Sequence, residues 1–276
     1  MQIGYHVNKH NGDLVAPLTA AKERLAELGM RPCAQVFVHG PRTHDETLTP
    51  AEIEDVAAVR GISVTIHGAY PDYPWKNNPQ AISGIRGELK IADELEATGV
   101  VVHLGQEAAN RETLLRVLGK IDRDLRLTTR RRLWLETNVV PAEKAIFSDP
   151  ANLHELLRVV KSRKYSNIRV GLCLDTAHLH SCGVPLGTAK DAREFFSALP
   201  RTKYLLHLND SALDLGCGRD QHAPLGRGKI WGKSTDGLRE VIHWARETGT
   251  AIILERHPDD IEHDLGVLGG MIAGRR

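Results

Sequence analysis

With 276 residues, 41% hydrophobic and 26% charged, the chain has the profile of a soluble globular protein, long enough to bury a core without covalent staples. A formal charge of +1 offers no bulk electrostatic reason to bind nucleic acid, although bound divalent cations add charge that a residue count misses. No apolar run approaches the roughly 20 residues that span a bilayer and no secretory leader is apparent, so a soluble, intracellular protein with no membrane partner is expected.

Strand and helix signals alternate along the chain. Gln2–Val7 is a first apolar run, followed by Leu18, Ala21, Leu25 and Leu28 at helical spacing. Ala34–His39 reads as strand two. Thr49-Pro50-Ala51-Glu52 then fits a capping box with proline at the first helical position. Ser63–His67 is strand three, and Asn78-Pro79 opens the next helix. Val100–His103 and Leu133–Glu136 follow, the second preceded by a charge run, Arg130 to Arg132, that reads as a solvated face. Asp149-Pro150 caps a helix carrying Leu153, Leu156, Leu157 and Val160; Val170–Asp175, Tyr204–Leu208 and Ala251–Glu255 complete the series. Near-continuous apolar runs suit parallel strands buried on both faces. Eight such units imply a closed (β/α)8 TIM barrel, one α/β domain over residues 1–276. The glycine-rich stretch from 210 to 236 lacks periodicity, and a loop that long is usually functional.

The chemistry sits at the strand ends. His67, His103, Glu136, Asp175 and Glu255 each end a strand, His207 lies in strand seven, and His178 follows Asp175 by three residues. Active sites of such barrels lie at the carboxyl ends of the strands. A lone histidine there is ordinary. Imidazoles and carboxylates on six successive strands, with no lysine or arginine among them, are expensive to bury without a compensating cation. Asp220 and His222 in the long loop alternate, so both side chains point one way. Nine ligands exceed the four or so of one tetrahedral zinc and suit three ions when a carboxylate is shared. Nitrogen and oxygen ligands without thiolate favour zinc or manganese. The four scattered cysteines read as buried thiols, and Cys173, on the strand of Asp175, as packing.

Two other classes fit part of the pattern. A single-metal sugar isomerase or epimerase of the xylose-isomerase-like barrels needs only Glu136, Asp175, His207 and Glu255, and leaves the remaining histidines unexplained. A barrel that binds damaged DNA without cutting it has no need of the full ligand set.

The segments IGYHV (3–7), IHGAYPDYPW (66–75), VVHLG (101–105), LETN (135–138), GLCLDTAHLHSCGV (171–184), HLNDS (207–211), GRDQH (218–222), LGRGKIWG (225–232) and ILER (253–256) resemble the endonuclease IV family of apurinic/apyrimidinic (AP) endonucleases. FVHGPR and DYPW look more like the branch found in large DNA viruses. The resemblance implies the xylose-isomerase-like TIM barrel and a zinc-dependent AP endonuclease of base excision repair, acting on double-stranded DNA with abasic sites. It implies cleavage 5′ to the lesion, leaving a 3′-hydroxyl and a 5′-deoxyribose phosphate, with 3′-end trimming, and no protein partner. Three zinc ions per chain are implied, manganese being the alternative at one site. His67, His103 and a bridging Glu136 hold the first. Glu136, Asp175, His207 and Glu255 hold the second, and His178, Asp220 and His222 the third. Glu136 and Glu255 are the expected catalytic carboxylates, Glu255 as proton acceptor. Arg42, Tyr70, Pro71 and His6 are the expected DNA contacts, and the loop from Gly226 to Trp231 is a third candidate grip. Gln221 stands where the family often has arginine, and Pro71 where it usually has leucine.

Overall fold

The computed structural model describes residues 1–10, 12–43, 47–256 and 260–273. Its centre is a closed parallel barrel of β1 (Gln2–Val7), β2 (Arg31–Val36), β3 (Ser63–His67), β4 (Gly99–Leu104), β5 (Arg131–Thr137), β6 (Ile168–Asp175), β7 (Tyr204–His207) and β8 (Ala251–Leu254). Each strand pairs with the next in chain order, and β8 closes the ring on β1 through Ile3↔Ile252 and Tyr5↔Leu254. Around it lie α1 (Val15–Glu27), α2 (Pro50–Ala57), α3 (Pro79–Glu94), α4 (Arg111–Asp122), α5 (Pro150–Lys161), α6 (Thr176–Ser181), α7 (Ala189–Ser197), α8 (Asp236–Thr248) and α9 (Ile261–Ala273). No helix among the described residues is long and apolar enough to cross a membrane.

The caps read from sequence form as expected. Thr49 and Glu52 make a reciprocal capping box on α2, while Asn78 and Asp149 cap α3 and α5 ahead of their prolines. Strand two is the exception. It runs Arg31–Val36, three residues earlier than its apolar pattern suggests. Pairing with β1 over Gln2↔Arg31 to Val7↔Val36 sets its limits, and Pro32 is tolerated near a strand start. Past Val36 the chain leaves the barrel, which puts Phe37 between His6 and His67, with ring centroids 4.7 and 5.1 Å away.

Inside the barrel, Cys33, Val101, Trp134, Cys173, Leu205 and Ile253 form one buried layer. Side chains alternate along a strand, so the residue two further on shares that inward direction. Those residues are Gln35, His103, Glu136, Asp175, His207 and Glu255. Period-two geometry alone thus converts an apolar layer into a polar one at the carboxyl-end mouth.

Candidate metal centre

Glu136 is the hub. Fully buried, it presents one oxygen, Oε2, to His67 Nε2 (3.4 Å) and His103 Nε2 (3.3 Å). The other, Oε1, faces His207 Nδ1 (2.9 Å) and His178 Nδ1 (3.6 Å). His207 Nδ1 also lies 3.2 Å from Glu255 Oε2. A third group forms around α6: His178 Nε2 is 3.5 Å from Asp220 Oδ2, and His222 Nε2 is 3.2 Å from Asp220 Oδ1 and 3.8 Å from Asp175 Oδ2. All nine expected ligands therefore converge. Donor atoms cluster within 4.8 Å of one another in the sets His67–His103–Glu136, Glu136–Asp175–His207–Glu255 and Asp175–His178–His222. The third set draws in Asp175, which the sequence reading assigned elsewhere.

Local folding aims these groups. Asp175 caps α6 by accepting the His178 N–H (2.8 Å), which fixes both ligands on one turn. His67, His178 and His222 each direct Nδ1 at a backbone carbonyl, of Gly68 (2.8 Å), Thr137 (2.7 Å) and Glu255 (3.0 Å). That bonding assigns the proton to Nδ1 and leaves Nε2 facing the centre. The loop after β7 folds back as a short antiparallel ladder, Asp210↔Ala223 and Ser211↔His222. Gly216 and Gly218 N–H groups bond to the His180 and Ser181 carbonyls (3.0 Å each), which holds the Asp220 segment against α6.

Further residues brace the ligands. Asn209 Nδ2 donates to Asp175 (2.6 Å) and Glu255 (3.2 Å), and its Oδ1 accepts the Glu255 N–H (3.0 Å). Asn209 thus braces both carboxylates directly. Asp210 acts elsewhere, accepting the N–H groups of Gly226, Gly228 and Ile230 at 3.0 Å each. Gly226 has φ +73°, and a Cβ on Gly228 would collide with Asp210, so both positions need glycine. Gln35 was missed from sequence. Its amide donates to Glu255 Oε1 (2.7 Å) and its carbonyl accepts from His207 Nε2 (2.8 Å). The available signal was a lone polar residue inside an apolar strand.

The electrostatics fit cations. Burial opposes charge on His207, yet the Cys173 sulfur and the Glu255 and Glu136 carboxylates around it raise its pKa well above the ordinary value. Burial opposes charge on His178 too, but Asp175, Asp220 and Glu136 raise it. His222 rises to about 9 through Asp220 and Asp175 against the same opposition. Burial would raise Glu136, Glu255 and Asp220, yet the neighbouring histidines hold all three below the usual carboxylate range. Side chains alone thus balance the buried carboxylates with protons. Separations of 3.3–3.4 Å from His67 and His103 to Glu136 match a tetrahedral edge of about 3.3 Å for ligand bonds of about 2.0 Å. Glu136 Oε2 and His222 Nε2 are buried with no hydrogen-bond partner, as atoms awaiting an ion would be. The site fits metal ions. Cys173 touches the hub set, but burial pushes its thiol up to about 12, in keeping with packing.

A cavity of about 400 Å³ opens above the cluster, lined by His6, Phe37, His67, Tyr70, His103 and Asp220 among others. His6 is buried there, and burial pushes its pKa down to about 4, so it meets the cavity as a neutral ring. Tyr70 is 51% exposed at the rim with Pro71. The Tyr70 N–H donates to the Pro41 carbonyl (2.9 Å), joining this turn to the loop of exposed Arg42, which does not line the cavity. Trp75 packs beneath, its Nε1–H donating to the His103 carbonyl (2.7 Å). Trp231 is fully buried against the Leu186 carbonyl, so the end of the Gly226–Trp231 loop is packing and not an exposed grip.

Comparison with known proteins agrees with this geometry. A family model described as the xylose isomerase-like TIM barrel matches residues 23–269. An African swine fever virus protein named probable AP endonuclease is 30% identical over 249 residues, 84% of this chain and 79% of its own. A Nitrosopumilus maritimus protein named probable endonuclease 4 is 28% identical over 288 residues, 96% of each chain. The crystal structure of endonuclease IV from Thermus thermophilus superposes with a TM-score of 0.75 at 25% identity, covering 99% of this chain and 100% of that one. The chain belongs to the AP endonuclease family built on this barrel and is an enzyme of that type.

Proposed function

We propose that this protein is a zinc-dependent AP endonuclease of base excision repair that hydrolyses the phosphodiester bond 5′ to an abasic site in duplex DNA. The products are a 3′-hydroxyl and a 5′-deoxyribose phosphate, with 3′-end trimming at the same centre. The observation that carries the reading is Glu136, whose two oxygens face separate histidine pairs. His67, His103 and Glu136 would hold one ion, Glu136, Asp175, His207 and Glu255 a second, and His178, Asp220 and His222 a third. Manganese is the alternative at one position. When bound, the ions supply Lewis acidity that generates a nucleophile from water at neutral pH and charge that offsets the phosphoryl oxygens.

The chain's own residues do the rest. Glu136 spaces the ligand groups. Glu255, steadied by Gln35 and Asn209 and lining the cavity, takes the proton of the attacking water. Tyr70 and Pro71 at the rim act as an apolar wedge, with Arg42 on the adjoining loop, and His6 donates to a phosphate. A sugar without a base is cheaper to extrude than an intact nucleotide, so a cavity of about 400 Å³ suits it. A single-metal isomerase would leave His67, His103, His178 and His222 without work, although they share the same mouth.

Metal analysis of the purified protein together with a nicking assay on an oligonucleotide bearing one abasic analogue tests this. Zinc near three per chain and incision 5′ to the lesion are expected. One metal per chain without incision would replace the reading with the isomerase.

A further inference from the structure

The opposite end of the barrel carries a second concentration of charge. A recess of about 440 Å³ at the amino ends of β5 and β6 is bordered by Arg130, Lys161, Arg163, Lys164 and Arg169, and no aspartate or glutamate lines it. None of the five is in an ion pair among the described residues, whereas neighbouring Arg131 is held by Asp93 at 2.8 Å. Arg130 and Arg163 each spend one N–H on a backbone carbonyl, of Ile168 (3.0 Å) and Leu115 (3.4 Å). Asp122, close to Tyr165, does not line the recess and is engaged by the N–H groups of Ser166, Asn167 and Ile168, which it accepts at 2.9, 2.8 and 3.1 Å.

Arg169 lines the recess while Arg132, its β5 neighbour in register, stacks over the Trp134 ring at 4.9 Å and does not line it. A solvated basic face would explain exposed lysines, but one feature goes further. Tyr165 lines the wall, is only 8% exposed, and its hydroxyl has no hydrogen-bond partner. A buried hydroxyl left unpaired is unfavourable, and such groups are normally satisfied.

We propose that this recess is a second anion site, shaped for phosphate groups, and that their source is the backbone of a nucleic-acid strand. Arginine and lysine donors with one hydroxyl match phosphate oxygens, and no acid lines the recess to compete for them. The site stands on the geometry of this face. Only the choice of nucleic acid over free phosphate rests on the function proposed above.

The test uses the full chain carrying Lys161→Ala with Lys164→Ala, and separately Tyr165→Phe, all exposed or conservative changes. Fluorescence anisotropy with a short undamaged duplex is measured against salt. Losing two phosphate contacts lowers the slope of log affinity against log salt by about 2 and weakens binding roughly tenfold at moderate salt. In parallel, inorganic phosphate is titrated while thermal unfolding is followed, and the wild type but not the double variant gains Tm. Weaker duplex binding with the reduced slope supports the proposal with nucleic acid as source. Unchanged duplex binding with a lost phosphate response supports the anion site and assigns it to free phosphate. If both measurements match wild type, the site does not exist. Incision of an abasic duplex is scored separately, so its failure would leave this result standing.

Discussion

The two ends of the barrel handle charge in opposite ways. At the carboxyl-end mouth, Glu136, Asp175 and His207 are fully buried, His207 bonded to Glu136 and Asp175 to Asn209, with Glu136 Oε2 left unpaired. At the amino-end floor, the cations of the recess are exposed and face no acid. Buried charge demands compensation within bonding distance, because the low-dielectric interior leaves nothing else to screen it. Exposed charge is tolerated by water until a partner arrives. A metal centre therefore has to be assembled within the fold, while a phosphate site can be left open on the surface.

The largest effect should come from the hub. Glu136→Ala removes the proposed ligand shared by both sides of the cluster, and incision should fall about 1000-fold or more with loss of bound metal; full activity with full metal would break the ligand assignment. The next effect is on stability. Asp210→Ala strands three backbone N–H groups of the 226–230 loop and should cost about 3 kcal/mol in urea unfolding. Asn209→Ala, which leaves the ligands in place but unbraced, should weaken metal binding by about 10- to 100-fold, read by competition with a chelating dye. At the rim, Tyr70→Ala should weaken binding to a damaged duplex roughly tenfold and leave metal content at the wild-type level; metal loss there would move Tyr70 into the centre.

The smallest effect is a proton count, and it separates the two ends most cleanly. His222 is raised from 6.5 to about 9, burial opposing and Asp220 with Asp175 favouring the charge. Its proton stabilises the metal-free fold fully below about pH 6.5, and that contribution is lost as the pH rises through 9. Metal affinity runs the other way, strengthening across the same window, because the proton must leave before the ring can ligate. Zinc added to metal-free protein at pH 7 should therefore release protons into weak buffer. No release would mean that the cluster is not held by these protons.

Much of this was legible from residue order. Strand-end polarity is a local pattern, since an apolar run closed by His or Glu states both the strand and the direction of its end. The capping box at Thr49 and the side-chain cap at Asn78 are equally local. The start of β2 was not, because its limits come from pairing with β1 and not from its own hydrophobicity. The same slip hid Gln35, whose value lies entirely in distant partners, His207 and Glu255.

Residue order alone thus determined the barrel and the nine polar groups that gather at its carboxyl-end mouth, because period and spacing are properties of short segments. Closure of the ring settled the rest. It joined Gln35 and Asn209 to Glu255, sank Trp231 into packing, and set Arg132 beside Arg169. Those outcomes depend on contacts between residues far apart in the chain, which no local pattern encodes.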